Sequence, residues 1–145
     1  MKILYKNYFN NDSVILILRV ILGVVFFAHG AQKVLGWFGG YGLENTVAFF
    51  AKNLGIPAFL GYLASFTEFF GGILILLGLL TRPAAIGIAI TMVVAMNIHI
   101  PNGFFLPNGF EFTFVLLLIA SAITISGPGK YSLDKIIFDK LENKG

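Results

Sequence analysis

The sequence predicts an all-α membrane protein: a bundle of four transmembrane helices with a short interfacial helix in the first outer loop. Three observations carry this. Apolar residues make up 57% of the 145 positions and charged residues 12%, whereas a soluble domain has about 45–50% and about 25%. The apolar residues fall into four runs separated by breaks rich in Gly, Pro and aromatics, and spanning a bilayer needs about 20 residues. Finally, the run from Arg19 to Lys33 is apolar yet carries Arg19, His29 and Lys33, which fall within about 80° of one another on a helix. A charge in hydrocarbon costs about 2.5–3.5 kcal/mol on insertion scales. That face should therefore point into protein or a water-filled cavity, with the other helices around it.

In chain order, residues 1–13 form a tail in which Lys2 and Lys6 are basic and Tyr5, Tyr8 and Phe9 suit the headgroup zone. Asp12 or Ser13 can cap the first helix. That helix is expected at about 14–35, and the Gly36–Gly42 stretch breaks it with glycines and aromatics. Leu43, Val47, Phe50 and Leu54 recur at helical spacing, so 43–54 reads as a short amphipathic helix lying on the membrane or capping the bundle. The second span is expected at about 58–80. Gly61, Ala64, Ser65, Glu68, Gly71 and Gly72 share one side of it, where small residues let a neighbouring helix approach. Thr81-Arg82-Pro83 reads as a tight turn. The third span is expected at about 84–99, a Pro- and Asn-Gly-rich loop at 101–109, and the fourth span at about 110–126, stopped by Gly127-Pro128-Gly129. Residues 130–145 form a charged tail with a short surface helix at Ser132–Leu141. The whole chain, 1–145, is one domain.

With four spans, one side holds Lys2, Lys6, Arg82, Lys130, Lys135, Lys140 and Lys144, and the other only Lys52, with Lys33 at a helix end. Positive residues stay inside, so a multi-pass protein of the bacterial inner membrane with both termini cytoplasmic is expected. No cleavable signal peptide is expected. The net charge of +3 rests on scattered residues and suits a membrane surface, not nucleic acid. The absence of cysteine excludes disulfides and thiolate chemistry within the chain.

Glu68 is the leading candidate for chemistry, because a carboxylate in an apolar span must take up a proton or find a cation. Arg19 is the expected partner, holding Glu68 ionised; a buried pair of that kind also fixes helix register. His29 and His99 lie near the outer helix ends and, with Glu68 or Glu111, can form a proton relay, an acid–base pair facing a quinone, or a metal site. Two histidines without a compact spacing motif argue only weakly for metal, and haem ligation is weaker still. Lys33 reads first as a snorkelling anchor and Glu111 as an anion at a helix N-terminus. Asn102 to Phe105 read as a turn or lid. Phe26, Phe69, Phe104 and Phe105 can flank a ring.

The segments Arg19–Gly23, His29-Gly30-Ala31-Gln32-Lys33, Gly36-Trp37-Phe38-Gly39-Gly40, Gly55-Ile56-Pro57, Glu68-Phe69-Phe70-Gly71-Gly72, Gly78–Arg82, His99, Asn102–Phe105, Glu111-Phe112 and Gly127-Pro128-Gly129 occur in order. Across about 14–135 the chain resembles the DoxX family of small bacterial membrane proteins. The resemblance implies a four-helix membrane bundle. The related DoxD proteins are a subunit of a thiosulfate:quinone oxidoreductase, and other relatives are linked to quinone or thiol stress and to membrane oxidoreductase complexes. The catalytic pairs contain a second subunit, and this chain lacks a cysteine for a thiosulfate-linked intermediate, which points away from direct thiosulfate oxidation.

The expected function is a membrane redox component or subunit handling a quinone-type substrate. Glu68, His29 and His99 are the catalytic candidates; Arg19, Lys33, Asn102, Glu111, Phe26, Phe69 and Phe104 are the substrate-binding ones. The alternatives are a non-catalytic scaffold that recruits a soluble oxidoreductase through the 130–145 tail, or a small proton-coupled transporter. The expected partners are the lipid bilayer, a quinone, an oxidoreductase subunit and, through the glycine face of the second span, a second copy of the chain.

Overall fold

The computed structural model describes residues 11–143. The expected interfacial aromatics Tyr5, Tyr8 and Phe9 and the cations Lys2, Lys6 and Lys144 lie outside them. Every described regular element is helical: α1 (Asn11–Val34), α2 (Leu43–Leu54), α3 (Ala58–Leu77), α4 (Thr81–His99), α5 (Glu111–Ser126) and α6 (Leu133–Glu142). Three stretches, α1, α3 and α4 with the turn that follows it, are long and apolar enough to cross a membrane. The fourth apolar helix, α5, has 16 residues, about 24 Å of rise against a hydrocarbon core of about 30 Å.

α1 packs most extensively on α3, α4 on α5, and α3 on α4; α1 and α5 close the ring more thinly. Leu22, Phe26, Ile75, Ile88, Leu116 and Ile123 fill the centre. Glycines set the α1–α3 crossing. A Cβ on Gly30 would strike the backbone of Phe69, one on Gly72 the backbone of Phe27, and one on Gly23 the side chain of Leu76. The small residues of α3 are thus consumed within the chain: Gly72 against α1, Gly71 against Ile88 of α4, and Gly61 against Val47 and Phe50 of α2. These contacts serve packing within one chain, the other use open to this face besides meeting a second copy.

The register also moves Glu68, which the sequence puts near the middle of the second span, toward one end of the bundle. Continuing the antiparallel pairing Gly30–Phe69 and Phe27–Gly72 places Glu68 level with Ala31, near the end of α1. The first turns of α3 rise past α1 and pack on α2, which buries Thr46 and Val47 and accepts a hydrogen bond from the Tyr62 hydroxyl at Glu44 (3.1–3.2 Å). α2 therefore caps the bundle, with the expected bounds.

The α3–α4 junction differs from the expected one. α3 stops at Leu77 because Gly78, at φ 65°, turns the chain, with Gly78 N–H bonded to Ile75 O and Leu79 N–H to Leu74 O. α4 then starts at Thr81 rather than 84. Pro83 falls in its first turn, where a missing N–H has no partner to lose. The cap comes from the far end of the chain: the Asp134 carboxylate accepts from Leu80 N–H (2.8 Å) and Thr81 N–H (2.9 Å).

Candidate functional site

One cavity of about 200 Å³ lies inside the bundle, with walls from α1, α3, α4 and α5. Its polar lining is His29 and Lys33 from α1, Glu68 from α3, His99 from α4 and Thr113 from α5. Phe26, Met92 and Leu116, all buried, and Phe112 are among the apolar residues of its wall. The three catalytic candidates, Glu68, His29 and His99, share this one cavity. α1 and α4 reach it from across the ring without packing on one another, an arrangement spacing alone did not decide.

Lys33 Nζ donates to Glu68 Oε2 in an ion pair whose side chains are 23% and 6% exposed. Lys33 also sits 5.9 Å above the Phe50 ring. The partner of Glu68 is thus Lys33, not Arg19. Lys33 and Arg19 share a face of α1 but lie 14 residues apart, about 21 Å along the axis. Only Lys33 is level with Glu68.

Each histidine has one ring nitrogen committed. Nδ1 of His29 lies 2.9 Å from Val25 O, and Nδ1 of His99 lies 3.1 Å from Asn108 O. A carbonyl oxygen only accepts, so Nδ1 carries the proton in both rings. A neutral imidazole then keeps Nε2 as an acceptor, and an imidazolium makes it a donor. The cavity therefore combines a lysine and a histidine on α1, a carboxylate on α3 and a second histidine on α4.

Arg19 is buried at the other end of the bundle and bonds four carbonyls: Ile75 through Nε (3.0 Å), Leu76 through Nη2 (3.0 Å), and Pro128 and Tyr131 through Nη1 (3.0 and 2.7 Å). It ties α1 to the end of α3 and to the segment after α5. At the same end Asp12, expected to cap α1, accepts from Lys130 N–H (2.9 Å). The Asp134 carboxyl is opposed by burial, which alone would raise it; the Thr81 and Leu80 N–H groups and the Arg19 charge outweigh that and hold it below the usual carboxylate range.

Of the remaining substrate-binding candidates, Phe26 lines the cavity, and Asn102, Glu111, Phe69 and Phe104 are not brought to it. The Glu111 carboxylate accepts from Leu106 N–H (2.8 Å), folding the 103–110 loop onto the start of α5. Phe104 packs edge-on against Phe105 and Phe110 in that loop. Phe69 stacks on Phe27 at 5.7 Å. Sequence reasoning missed Phe112, Thr113 and Met92 as lining residues; nothing in an apolar run marks which position meets a cavity. Among the described residues, no three His, Cys, Asp or Glu side chains converge as a metal site.

The DoxX family model matches residues 14–101, covering α1 to α4 and every ionisable residue of the cavity. The chain belongs to the DoxX family. Among its relatives, the Bacillus subtilis (strain 168) protein named "Putative oxidoreductase CatD" is 34% identical over 88% of this chain and 90% of its own length. "Inner membrane protein YqjF" of Escherichia coli (strain K12) is 29% identical over 89% and 95%. An uncharacterized membrane protein of Mycobacterium tuberculosis is 33% identical over 83% and 79%. No solved structure matches the chain. This DoxX membrane protein thus carries its ionisable cluster within the part that defines the family.

Proposed function

We propose that this DoxX protein is a four-span inner-membrane redox component that binds a quinone-type ring in the cavity between α1, α3, α4 and α5. The observation that carries the reading is the convergence of His29, Lys33, Glu68 and His99 on one cavity with an apolar floor. Size supports it: an apolar cavity of about 150 Å³ takes up benzene, so about 200 Å³ suits one six-membered ring with small substituents. Chemistry supports it as well. A quinone ring offers two carbonyl oxygens on opposite sides, and the cavity is lined by histidines on α1 and α4 whose Nε2 donates to such an oxygen when the ring is an imidazolium. Reduction to the quinol consumes two electrons and two protons. The cavity supplies protons through His29, His99 and the Lys33–Glu68 pair. The electrons come from a partner oxidoreductase; the name "Putative oxidoreductase CatD" of one relative supports a redox role for the chain itself.

The test is equilibrium binding of a water-soluble, tail-less benzoquinone to the purified protein. His99→Ala should weaken binding about 10–100-fold, the worth of one hydrogen bond involving a charged group. A wild-type protein that binds no quinone overturns the reading.

A specific observation favours a second reading. α6 is fixed at its start by Asp134 and by Ser132, which caps Lys135 N–H, and leaves Ile136, Ile137, Phe138 and Leu141 exposed. That face suits recruitment of a soluble oxidoreductase. In that case, Ile137→Glu/Leu141→Glu releases the partner from membranes and Glu68→Gln does not.

A further inference from the structure

The ring cavity has two kinds of wall. Most of its lining residues are buried or half-buried, and only His29 and Phe112 are exposed. These two face one another across the α1–α5 seam with ring centroids 6.2 Å apart. Phe112 remains 41% exposed. The seam is also the most thinly packed side of the four-helix ring. One turn deeper than the two rings, Val25 on α1 is half-buried and Val115 on α5 is exposed.

The alternative ways in are obstructed. Toward the loop after α1, a cavity of about 260 Å³ includes Gln32, Tyr41 and Thr46 in its lining and shares Lys33 with the ring cavity. The Lys33–Glu68 ion pair, backed by Phe50 beneath the ammonium, stands between them. A larger cavity, about 470 Å³, lies between α3, α4 and the end of α2. Its lining has no ionisable side chain and offers the hydroxyls of Thr67 and Thr91, of which Thr91 is bonded to Gly87 O (3.0 Å). The tight contacts of Gly71 with Ile88 and of Gly87 with Thr67 lie along the α3–α4 seam.

Resting on the quinone reading, we propose that the ring cavity is filled sideways from the bilayer through the α1–α5 seam, with the His29–Phe112 pair as its gate, and that its ligand is a lipid-soluble ring carrying an apolar tail. The head enters past the two rings, and the tail stays outside the seam among lipid chains. Helices α1 and α5 are far apart in the chain and thinly packed, so rotation of the Phe112 side chain widens the gap without breaking a helix. His29 has a distinct place in this route. A half-exposed imidazole is tolerated at a lipid-facing seam when neutral, and its Nε2, an acceptor in that form, receives a hydroxyl of the reduced ring rather than a carbonyl.

The experiment is photolabelling of the wild-type protein in bilayer nanodiscs with a benzoquinone that bears a diazirine on the first carbons of an alkyl tail. Label counts only where excess tail-less benzoquinone abolishes it. The expected result is competed label concentrated on 21–29 of α1 and 112–119 of α5. Competed label on Leu60, Leu63, Ile90 and Val94 places the entrance at the α3–α4 cavity and overturns the lateral seam. Competed label on Tyr41 and Phe49 places it at the Lys33 mouth and overturns it equally. Label that nothing competes removes the quinone reading, and this inference with it.

Discussion

Lys33 and Glu68 behave as one unit in a place that tolerates neither alone. Removing one partner of a fully buried pair costs about 3–5 kcal/mol. Lys33 keeps some access to water, so Lys33→Met should cost about 2–3 kcal/mol, read as a fall in thermal midpoint in detergent. Lys33→Met/Glu68→Met should recover most of that loss, since no charge is left unpaired. A double variant as unstable as the two single losses added would mean the pair is not coupled. Glu68 was legible in the sequence because an acid in an apolar run demands a partner. Which partner was not. A helical projection gives Arg19 and Lys33 the same azimuth and says nothing of axial level, which the Gly30–Phe69 and Gly72–Phe27 contacts fix. Asp134 was illegible for a related reason. Beside Ser132 it looks like a residue serving its own helix, and its carboxylate caps α4 instead.

The elements are held by two kinds of joint. The first is the glycine crossing of α1 and α3, where added volume meets backbone and cannot be absorbed by a rotamer change. Gly72→Leu should destabilise by at least the ~1–3 kcal/mol typical of overpacking; a variant with an unchanged thermal midpoint would show that the crossing is looser than described. The second is the polar knot at the other end. Because the Asp134 carboxyl lies below its usual range when folded, its contribution is complete at neutral pH. It fades as pH falls through the folded value, when the proton taken up weakens the cap on Leu80 and Thr81. Asp134→Asn should therefore lower the neutral thermal midpoint and flatten its acid dependence; an unaltered acid limb would assign that limb to other carboxylates. Helix existence was readable from hydropathy, and α2 came out with its expected bounds. The start of α4 was misplaced because Pro83 looks like a turn until the cap on the preceding residues is known.

At the scale of the molecule, the Arg19 end gathers the start of α1, the α3–α4 turn and the segment from Pro128 to Asp134, while the other end holds the cavity. The reading of four apolar runs as four spans anticipated that grouping. It could not anticipate that the segment after α5 is structural. Cutting the chain after 127 removes two of the four carbonyls that Arg19 uses, together with the α4 cap. Such a truncation should fail to give a monodisperse protein, whereas one ending after 135 should fold and still bind the ring. Size-exclusion chromatography in detergent separates the two outcomes, and equal behaviour of both would deny the segment its role.

Arg19 also sets a timetable for biosynthesis. Its last acceptors lie 109 and 112 residues further along the chain, so at roughly 5–20 residues per second of synthesis the first helix waits on the order of 5–20 s before its guanidinium is satisfied. During that interval the nascent helix must keep the charge at the bilayer surface or in the custody of the insertion machinery. Completion of the last segment is then the event that lets the first one settle.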